Sequence, residues 1–417
     1  MLLIYRCLIN FLLLISPLIF IYRLIKKKES FLRFKEKIGF FSSKKKIKGK
    51  LIWFHGASVG EIQSIIPLIE KYRKSKKISR ILVTSNTLSS SKILENLNEK
   101  KVIHQFFPID NNQIVKKFIE HWNPSIAVFI DSEIWPNMFI NLEKKNIPIV
   151  SLNSRITKKS FNRWLKLLDF SKFIFSKFKL CLSSNKESVL YLRKLGAKNI
   201  RYYGNLKYAQ SEHERNFINN DIKKIFNKKK VWCASSTHET EEEFAGKVHN
   251  ILKKKYKNIL SVIIPRHIER EKRIVEQMEK LNLKVHLHEP KTRIKSGTDI
   301  YLVNSFGITK SFYSIIDNIF LGGTLIQHGG QNPLEAVRYN CNIMHGPSIF
   351  NFKEIYEFLD KKKVSKKITN INQMAKILDK SFSTKKNKIN IKNKIKSIGE
   401  KILKNTKKDI DYFLDNL

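Results

Sequence analysis

Short apolar segments alternate with stretches of helical periodicity along most of this chain, and this alternation limits the folds that it can adopt. In the first half the apolar segments are residues 51–57, 81–87, 102–108, 125–131 and 147–153. In the second half they are residues 231–237, 259–265, 283–288, 299–304, 318–324 and 340–346. Strands separated by helices form parallel sheets with helices on both faces. The pattern therefore predicts an α/β protein with two Rossmann-like domains.

The expected domain bounds follow from shifts in composition, since 417 residues exceed what one compact core holds. A very polar stretch separates the two series of strands, and isoleucines recur at helical intervals near the carboxyl terminus. We predict five parts: a membrane anchor at 1–28, an N-terminal Rossmann-like domain at 29–210, a linker at 211–230, a C-terminal Rossmann-like domain at 231–385 and a helix at 386–417.

The amino terminus joins an uncharged, mostly apolar run, residues 7–22, to a basic cluster directly behind it. The cluster comprises Lys26, Lys27, Lys28, Arg33, Lys35 and Lys37. A cleaved signal peptide would need a small-residue cleavage site, and none follows the run. Because loops rich in Lys and Arg stay on the cytoplasmic side, we predict a single-pass anchor that leaves the domains in the cytoplasm. Basic residues so close to a bilayer also favour anionic lipid.

The net charge of +44, from 80 Lys+Arg against 36 Asp+Glu, has two possible origins. The chain is rich in Lys, Ile and Asn throughout, as AT-biased genomes tend to encode, or the charge attracts an anionic membrane or nucleic acid. Lysines are spread over whole helices and loops, without the interleaved aromatic residues of a nucleic-acid surface, so we expect no nucleic-acid partner. The four cysteines form no CxxC pair, which favours a reducing compartment over a zinc site or a disulfide framework.

Four polar or glycine-rich stretches each follow a predicted strand, where a doubly wound sheet places its ligands. They are HGASVGE (55–61), DSEIWPNM (131–138), SSTHETEEE (235–243) and LGGTLIQHGGQNPLEA (321–336). Two glycine pairs followed by N-P-x-E describe a loop that folds around a small ligand. IIPRH (263–267) supplies a fixed cation for a phosphate. No GxxxxGK[ST] occurs, which argues against a P-loop nucleotide hydrolase.

Most of these stretches also have a purely structural interpretation. Glu61 would lie in the first turn of its helix, where a carboxylate interacts favourably with the helix dipole. Asp131 or Ser132 would cap a helix, with Trp135 in the core. Residues 235–237 would cap the next helix, although a phosphate at that helix start is equally well explained. The residues alone leave both interpretations open.

Taken together, eight motifs in chain order resemble the Kdo (3-deoxy-D-manno-octulosonic acid) transferase family of bacterial lipopolysaccharide synthesis. They are IWFHGASVGE, DSEIWPN, NSRITKKS (153–160), GNLKYA (204–209), ASSTHETEEE, PRHIER (265–270), GGTLIQHGGQNPLE and GPSIFNF (346–352). The resemblance covers residues from about 30 to 360. It implies a GT-B glycosyltransferase: two Rossmann-like domains facing one another across a cleft, with an N-terminal anchor in the cell inner membrane.

The family's activity implies inverting transfer of Kdo from CMP-Kdo to a tetra-acylated lipid A precursor (lipid IVA), without a cofactor or a metal. Its partners would be CMP-Kdo, the lipid A precursor and the anionic inner membrane. Glu61 would be the general base, and Asp131 and Lys207 would act near the transition state. Residues that correspond to the CMP-binding elements are Pro265, Arg266, Phe306, Gly307, Ile308, Asn332, Pro333, Leu334 and Glu335. Glu133 and His238 would lie in or next to the site.

The sequence departs from the family's usual residues at several of these positions. Asp131 stands where Glu is usual, Ile308 where Glu is usual, and Gln331 where His is usual. Ala209 stands where an Asp commonly follows the Tyr. The residues kept are Glu61, Lys207, Arg266 and Glu335, so we expect an active enzyme.

Two further expectations remain open to test. Another membrane-bound GT-B glycosyltransferase of the envelope, using a different nucleotide sugar, would share the anchor and the architecture. We also expect the apolar residues of 38–41 and 62–68 to line an entrance for the lipid acceptor.

Overall fold

A computed structural model describes residues 1–42, 48–95, 99–210, 218–289, 292–305, 307–383 and 391–416. The chain divides into two compact units. The first comprises Met1–Ser211 together with Lys396–Leu417, and the second comprises Glu212–Ile395. The stretch predicted as a linker is therefore grouped with the second unit, and most of the stretch predicted as a separate C-terminal helix with the first.

The first unit is built on a seven-stranded, wholly parallel sheet. Its strands are β1 (Leu51–His55), β2 (Arg80–Ser85), β3 (Val102–Phe106), β4 (Ile126–Ile130), β5 (Ile149–Ser154), β6 (Phe178–Ser183) and β7 (Ile200–Tyr202). They are ordered β3-β2-β1-β4-β5-β6-β7. The five strands predicted here are confirmed. β1, β4 and β5 are buried at every position, which explains why their sequences are mostly apolar and do not alternate between apolar and polar residues.

Helices connect these strands and cover the sheet. They are α1 (Leu2–Ile25), α2 (Val59–Arg73), α3 (Leu88–Glu95), α4 (Asn112–Trp122), α5 (Pro136–Lys144), α6 (Lys158–Leu165), α7 (Leu168–Phe175) and α8 (Lys186–Lys194), with 3-10 turns at Phe34–Ile38 and Leu206–Ala209. Local sequence fixes several starts: Asn111 accepts from two backbone N–H groups at the start of α4, and Pro136 stands at the start of α5.

The core of the first unit contradicts one expectation about the acceptor entrance. Ile62, Ile65 and Leu68 are fully buried in the cluster between α2 and the sheet. They recur three apart on the inner face of α2, so they form core and not a surface. Of residues 38–41, Phe40 is 58% exposed, and it alone keeps the large exposed apolar surface that the expectation required.

α1 is the one helix of the described residues that is long and apolar enough to cross a membrane. It lies against the first unit, where Tyr5 donates a hydrogen bond to Asp110 and Asn111 donates one to Asn10. Its length and composition alone are also compatible with a signal sequence or a core helix.

The second unit is built on another seven-stranded parallel sheet, ordered β10-β11-β9-β8-β12-β13-β14. Its strands are β8 (Lys230–Thr237), β9 (Ile259–Pro265), β10 (Val285–Leu287), β11 (Ile300–Leu302), β12 (Asn318–Leu321), β13 (Asn342–His345) and β14 (Ser365–Lys367). All six strands predicted for this half are confirmed. The helices are α9 (Asn220–Asn227), α10 (Glu241–Lys255), α11 (Glu271–Lys280), α12 (Thr309–Tyr313), α13 (Leu334–Arg338), α14 (Lys353–Lys361) and α15 (Ile371–Ser383), with a 3-10 turn at Ile268–Arg270.

The last helix, α16 (Ile391–Asp415), confirms the amphipathic helix expected near the carboxyl terminus. Its apolar residues Ile402, Leu403, Ile410 and Leu414 join the core of the first unit. Gly399 approaches the backbone so closely that an added Cβ would lie 2.3 Å from the carbonyl oxygen of Tyr208. A glycine is needed there because no side chain fits between α16 and the 3-10 turn that carries Lys207.

Candidate functional site

Each sheet has a point at which the strand order reverses, and the predicted site residues gather at these two points. In the first sheet β1 and β4 are neighbours whose connections run in opposite directions. The loop that leaves β1 leads to Glu61 in the first turn of α2, and Asp131 lies directly after β4. Ligands of open α/β sheets bind at such switch points, so the topology itself places these two carboxylates at the position expected for a site.

Glu61 is held in a fixed orientation by the loop that follows β1. Its carboxylate accepts a hydrogen bond from the backbone N–H of Ala57 at 2.7 Å and from the Ser58 hydroxyl at 2.8 Å. Ser58 caps α2 in return, accepting from the Glu61 N–H. An added Cβ on Gly56 would lie 3.1 Å from the Glu61 Cβ, so the small residue keeps this loop close to the carboxylate.

Burial raises the pKa of Glu61 to about 7, and repulsion by Asp131 and Glu133 contributes to the shift. The two hydrogen bonds from Ala57 and Ser58 oppose the shift because they stabilise the charged form. The structural interpretation of Glu61 explains its place in the first turn of α2, but it does not require the nearby carboxylates. A half-buried carboxyl whose pKa lies near neutrality is suited to accept a proton from a substrate.

Asp131 lies directly after β4 in a left-handed conformation, with φ of 57°. Asn153, at the end of the neighbouring strand β5, donates a hydrogen bond of 2.6 Å to its carboxylate. The side-chain oxygen of Asn153 accepts from the backbone N–H of Leu206 at 2.9 Å. Asn153 therefore joins Asp131 to the backbone of the turn that carries Lys207, so two of the three predicted catalytic residues lie on segments that one amide side chain connects.

Glu133 contacts the ring nitrogens of two residues, Trp135 and His55. Its carboxylate accepts from the Trp135 indole N–H at 2.9 Å and lies 3.2 Å from His55 Nε2. His55 is fully buried, stacks on Phe107 and contacts the Thr84 hydroxyl through Nδ1. Asp131 does not cap α5: the helix begins at Pro136 without a side-chain cap from its N-cap residue, and Asp110 accepts its first N–H groups instead.

In the second unit the strand order reverses between β8 and β12, and the loops after these strands carry His238 and the glycine pairs. The loop after β12 is held by Glu241, which is fully buried. Its carboxylate accepts four backbone N–H groups, from His238, Gly323, Thr324 and Leu325, at 2.7 to 3.1 Å. Burial raises the pKa of Glu241, and the four hydrogen bonds oppose this rise.

The expectation that residues 235–237 cap α10 is wrong. The N-cap of α10 is Thr240, in a left-handed conformation with φ of 78°, and it makes no side-chain cap. Glu241 binds the His238 N–H instead, while the Thr237 hydroxyl is buried without a partner among the described residues. The chain thus uses its helix-start carboxylate to bind a loop.

His238 lies close to two other histidines and to two arginines. Its ring centroid is 4.3 Å from that of His328 and 5.8 Å from that of His267. Burial, together with the charges of these two histidines, Arg266 and Arg270, lowers the pKa of His238 to about 4. A neutral imidazole beside arginine side chains leaves this region electropositive, so it would favour an anion. In the described part of the chain no group of three or more His, Cys, Asp or Glu could hold a metal.

The other predicted nucleotide-binding residues occupy the same edge of the second sheet. Pro265 ends β9, and the N–H of Arg266 binds the Thr237 carbonyl while its side chain remains exposed. Asn332 accepts from the N–H of Leu334 at 3.2 Å, which orders the turn before α13. The remaining members of this turn are Pro333, which is buried, and Glu335, which is half-buried.

The stretch 306–308 is only partly described. Phe306 lies outside the described residues. Gly307 is exposed with φ of 82°, and Ile308 precedes the short helix α12.

Sequence reasoning missed Asn153, His55, Glu241 and His328 as members of the two sites. All four stood within quoted motifs, but their roles depend on contacts between loops of different strands. Glu241 is the first of three consecutive glutamates, and nothing in the sequence distinguishes it from Glu242 and Glu243.

Comparison with known proteins assigns the chain to a family. Residues 32–210 match the family model described as 3-deoxy-D-manno-octulosonic-acid transferase (kdotransferase). A 3-deoxy-D-manno-octulosonic acid transferase of Rickettsia prowazekii is 31% identical over 376 residues, 87% of this chain and 78% of that protein. The chain belongs to the Kdo transferase family. The relative of the same name from Rickettsia felis is 34% identical over 72% of this chain, and the match spans 64% of its own length, a little under two thirds.

The fold of this Kdo transferase family member recurs in solved structures. A glycosyltransferase from Rickettsia africae has a TM-score of 0.59 with 11% identity, covering 89% of this chain and all of that chain. At this identity the likeness is one of fold. The predicted GT-B fold class is confirmed.

Proposed function

We propose that this chain transfers Kdo from CMP-Kdo to a tetra-acylated lipid A precursor, with inversion at the anomeric carbon, in lipopolysaccharide core biosynthesis. The observation that carries the proposal is Glu61: a half-buried carboxyl at the switch point of the first sheet, fixed by Ala57 and Ser58, with its pKa raised to about 7. An enzyme that activates a sugar hydroxyl near neutral pH requires such a base.

Glu61 would take the proton from the acceptor hydroxyl as its oxygen forms a bond to the anomeric carbon of Kdo. The bond from that carbon to the phosphate oxygen breaks, and CMP leaves with the electron pair. A single displacement of this kind inverts the anomeric configuration. Asn153 bonds both to the Asp131 carboxylate and to the Leu206 N–H, which precedes Lys207 in the same 3-10 turn. This connection supports a shared role of Asp131 and Lys207 beside the reacting sugar.

The second unit would bind CMP-Kdo. The electropositive region around His238, with Arg266 and His328, suits the phosphate of the donor and the charge that develops on the leaving CMP. The glycine-rich loop after β12 and the turn at Asn332 to Glu335 would enclose the nucleoside. The amides of Gly323, Thr324 and Leu325 already bind Glu241, so the donor phosphate would be held by side chains and not by these N–H groups.

The acceptor and the location belong to the same proposal. Lipid A precursors carry phosphates and Kdo carries a carboxylate, and a chain with a net charge of +44 would concentrate both. We place the protein at the cell inner membrane, attached through α1, with both units in the cytoplasm.

The test measures CMP release and lipid product mass with purified protein, CMP-Kdo and tetra-acylated lipid A precursor, without added metal. Glu61→Ala should lose nearly all product, whereas Glu120→Ala, which removes an exposed carboxylate of α4, should keep it. The anomeric configuration of the product, read by NMR, tests inversion separately.

The second candidate is a GT-B enzyme that uses another nucleotide sugar. No product with CMP-Kdo, from a folded protein and a verified acceptor, together with product from a uridine or guanosine nucleotide sugar, would replace the first proposal with the second.

A further inference from the structure

α1 has a covered face that extends along its whole length. The half-buried or buried positions that recur three or four apart are Leu2, Tyr5, Ile9, Leu13, Ser16, Phe20 and Arg23. Positions with this spacing lie on one side of a helix. This side of α1 therefore faces the rest of the first unit from the first turn to the last.

The contacts near the amino terminus of α1 are polar and specific. The Tyr5 hydroxyl donates to Asp110 at 2.7 Å, and the Arg6 guanidinium donates to the side-chain oxygen of Asn137 at 3.0 Å. Asn111 donates to Asn10 at 2.8 Å. Asp110 is almost completely buried, and burial raises its pKa to about 6, so loss of the Tyr5 hydroxyl would remove one of the few groups that stabilise its charge.

The contacts near the carboxyl end of α1 reach the same unit. The Phe20 ring lies 5.6 Å from the Phe34 ring, centroid to centroid. Arg23 pairs at 2.7 Å with Glu29, a buried carboxylate that Lys37 also binds at 2.7 Å. Both ends of α1 are thus bound by groups of one folded body.

A helix that crosses the bilayer could not keep both sets of contacts. Its 24 residues span about 36 Å at 1.5 Å per residue. In the spanning orientation Tyr5 and Arg6 would lie at the far interface, whereas Asp110 and Asn137 would stay with the folded unit that follows Lys28. Asp110 would then be left buried without its hydroxyl partner.

The opposite face of α1 is a continuous apolar surface. Its large exposed side chains are Leu3, Ile4, Leu8, Phe11, Leu12, Leu14, Leu18, Ile19, Ile21, Tyr22 and Ile25. The surface continues after the helix with Phe31 and Leu32, which are 77% and 87% exposed. Between them stand the exposed Lys26, Lys27 and Lys28. An apolar strip of this size with lysines at its end has the chemistry of an interface with anionic lipid.

We infer that α1 lies in the plane of an anionic bilayer surface, with its covered face on the first unit and its apolar face in the lipid, and does not cross the membrane. The inference rests on the proposed membrane attachment and replaces the single pass expected from hydropathy. Charge selects the lipid over a second copy of the chain, because a second copy would bring two sets of exposed lysines together.

The test measures the depth of spin labels along the exposed face in vesicles of phosphatidylethanolamine and phosphatidylglycerol. Single cysteines replace Ile4, Phe11, Leu18 or Ile25 of the full chain, in a Cys7→Ser background. Selective labelling is feasible because the other three cysteines are buried. An in-plane helix predicts four similar, shallow depths, about 5 to 10 Å below the headgroups. A spanning helix sets neighbouring labels about 10 Å apart along the membrane normal, so the labels at Phe11 and Leu18 would lie about 10 Å deeper than those at Ile4 and Ile25.

A depth profile with its maximum at the central labels would overturn the inference. If the labels are shielded from water in the absence of vesicles, and lie close to a label of another molecule, a second copy of the chain covers this face. That result would overturn the inference. Failure to bind the vesicles would overturn the in-plane orientation and the membrane attachment together. Such a failure leaves the transferase proposal to be decided by CMP release with detergent-dispersed acceptor, so the two failures are distinguishable.

Discussion

Glu61→Gln should abolish turnover and, at alkaline pH, make the folded protein more stable. A carboxyl with a pKa of about 7 in the folded protein and an ordinary value of 4.5 is harder to ionise in the fold than in the unfolded chain. Between these two pH values the folded protein keeps a proton that the unfolded chain has lost. The stability of the parent protein therefore falls as the pH rises through this window.

The size of the effect follows from the two pKa values. At about 1.4 kcal/mol for each pH unit between them, the ionised Glu61 costs the folded state about 3 to 4 kcal/mol above pH 7. Glu61 is half-buried, so screening by solvent reduces this to about 2 to 3 kcal/mol. Glutamine removes the charge and can keep both contacts, accepting from Ala57 through its oxygen and donating to the Ser58 hydroxyl through its amide.

The assay is urea unfolding of the parent and the variant at pH 4.5 and at pH 8, followed by tryptophan fluorescence. We expect a gain of about 2 to 3 kcal/mol in the free energy of unfolding at pH 8 and almost none at pH 4.5. Glu120→Gln, at an exposed position, is the control and should show no such difference. A gain of equal size at both pH values, or no gain at pH 8, would refute the argument that buried charge sets the pKa of Glu61.

Three further predictions follow from the geometry of the two units. The rate constant kcat/KM should rise with pH, with a midpoint near pH 7, because Glu61 must be ionised to accept a proton. Asp131→Asn removes a charge that repels the ionised Glu61, so the midpoint of this rising limb should move to lower pH in the residual activity of the variant. Glu241→Gln replaces an acceptor of four N–H groups by one that also donates, so thermal or urea unfolding of the second unit should show a loss of about 2 to 6 kcal/mol, from two buried amides without an acceptor. Gly399→Ala should lower kcat about tenfold or more, since its Cβ would lie 2.3 Å from the Tyr208 carbonyl oxygen and must displace the turn that carries Lys207. Calorimetry should show that binding of CMP-Kdo, the proposed donor, is unchanged.

Each of these has an outcome that contradicts it. A limb that stays in place in Asp131→Asn would mean that Asp131 does not influence Glu61. Unchanged unfolding of Glu241→Gln would mean that the glycine-rich loop does not depend on the carboxylate. For Gly399→Ala the control is Ser397→Ala, which creates the same residue at an exposed position of α16, and equal activity of both variants would refute the close-contact argument.

Periodicity and composition predicted the fold well because its strands are buried on both faces and therefore read as continuous apolar runs. Three strands were missed: β6 and β14 carry lysines, and β7 has only three residues, so none stands out as apolar. β7 and β14 are edge strands, where one side needs no apolar cover.

The site was predicted in part for a different reason. Motif order identified the loops that follow β1, β4, β8 and β12, and the structure brings Glu61 close to Asp131 as expected at a switch point. The positioning contacts of Asn153 and Glu241 were not predictable, because they bind backbone groups 53 and more than 80 residues away. Periodicity reports which face of a segment is buried, but not which distant N–H group its polar side chains meet.

The route of the chain through α16 has a consequence for the order in which the protein is made. The first unit is completed by Lys396–Leu417, whereas Glu212–Ile395 is one uninterrupted stretch. On the ribosome the amino-terminal sheet emerges first but lacks Ile402, Ile410 and Leu414, which complete its core. The second unit can finish folding while the first still lacks the residues of α16, which follow the second unit in the chain, so the half that is synthesised first is completed after the half that follows it.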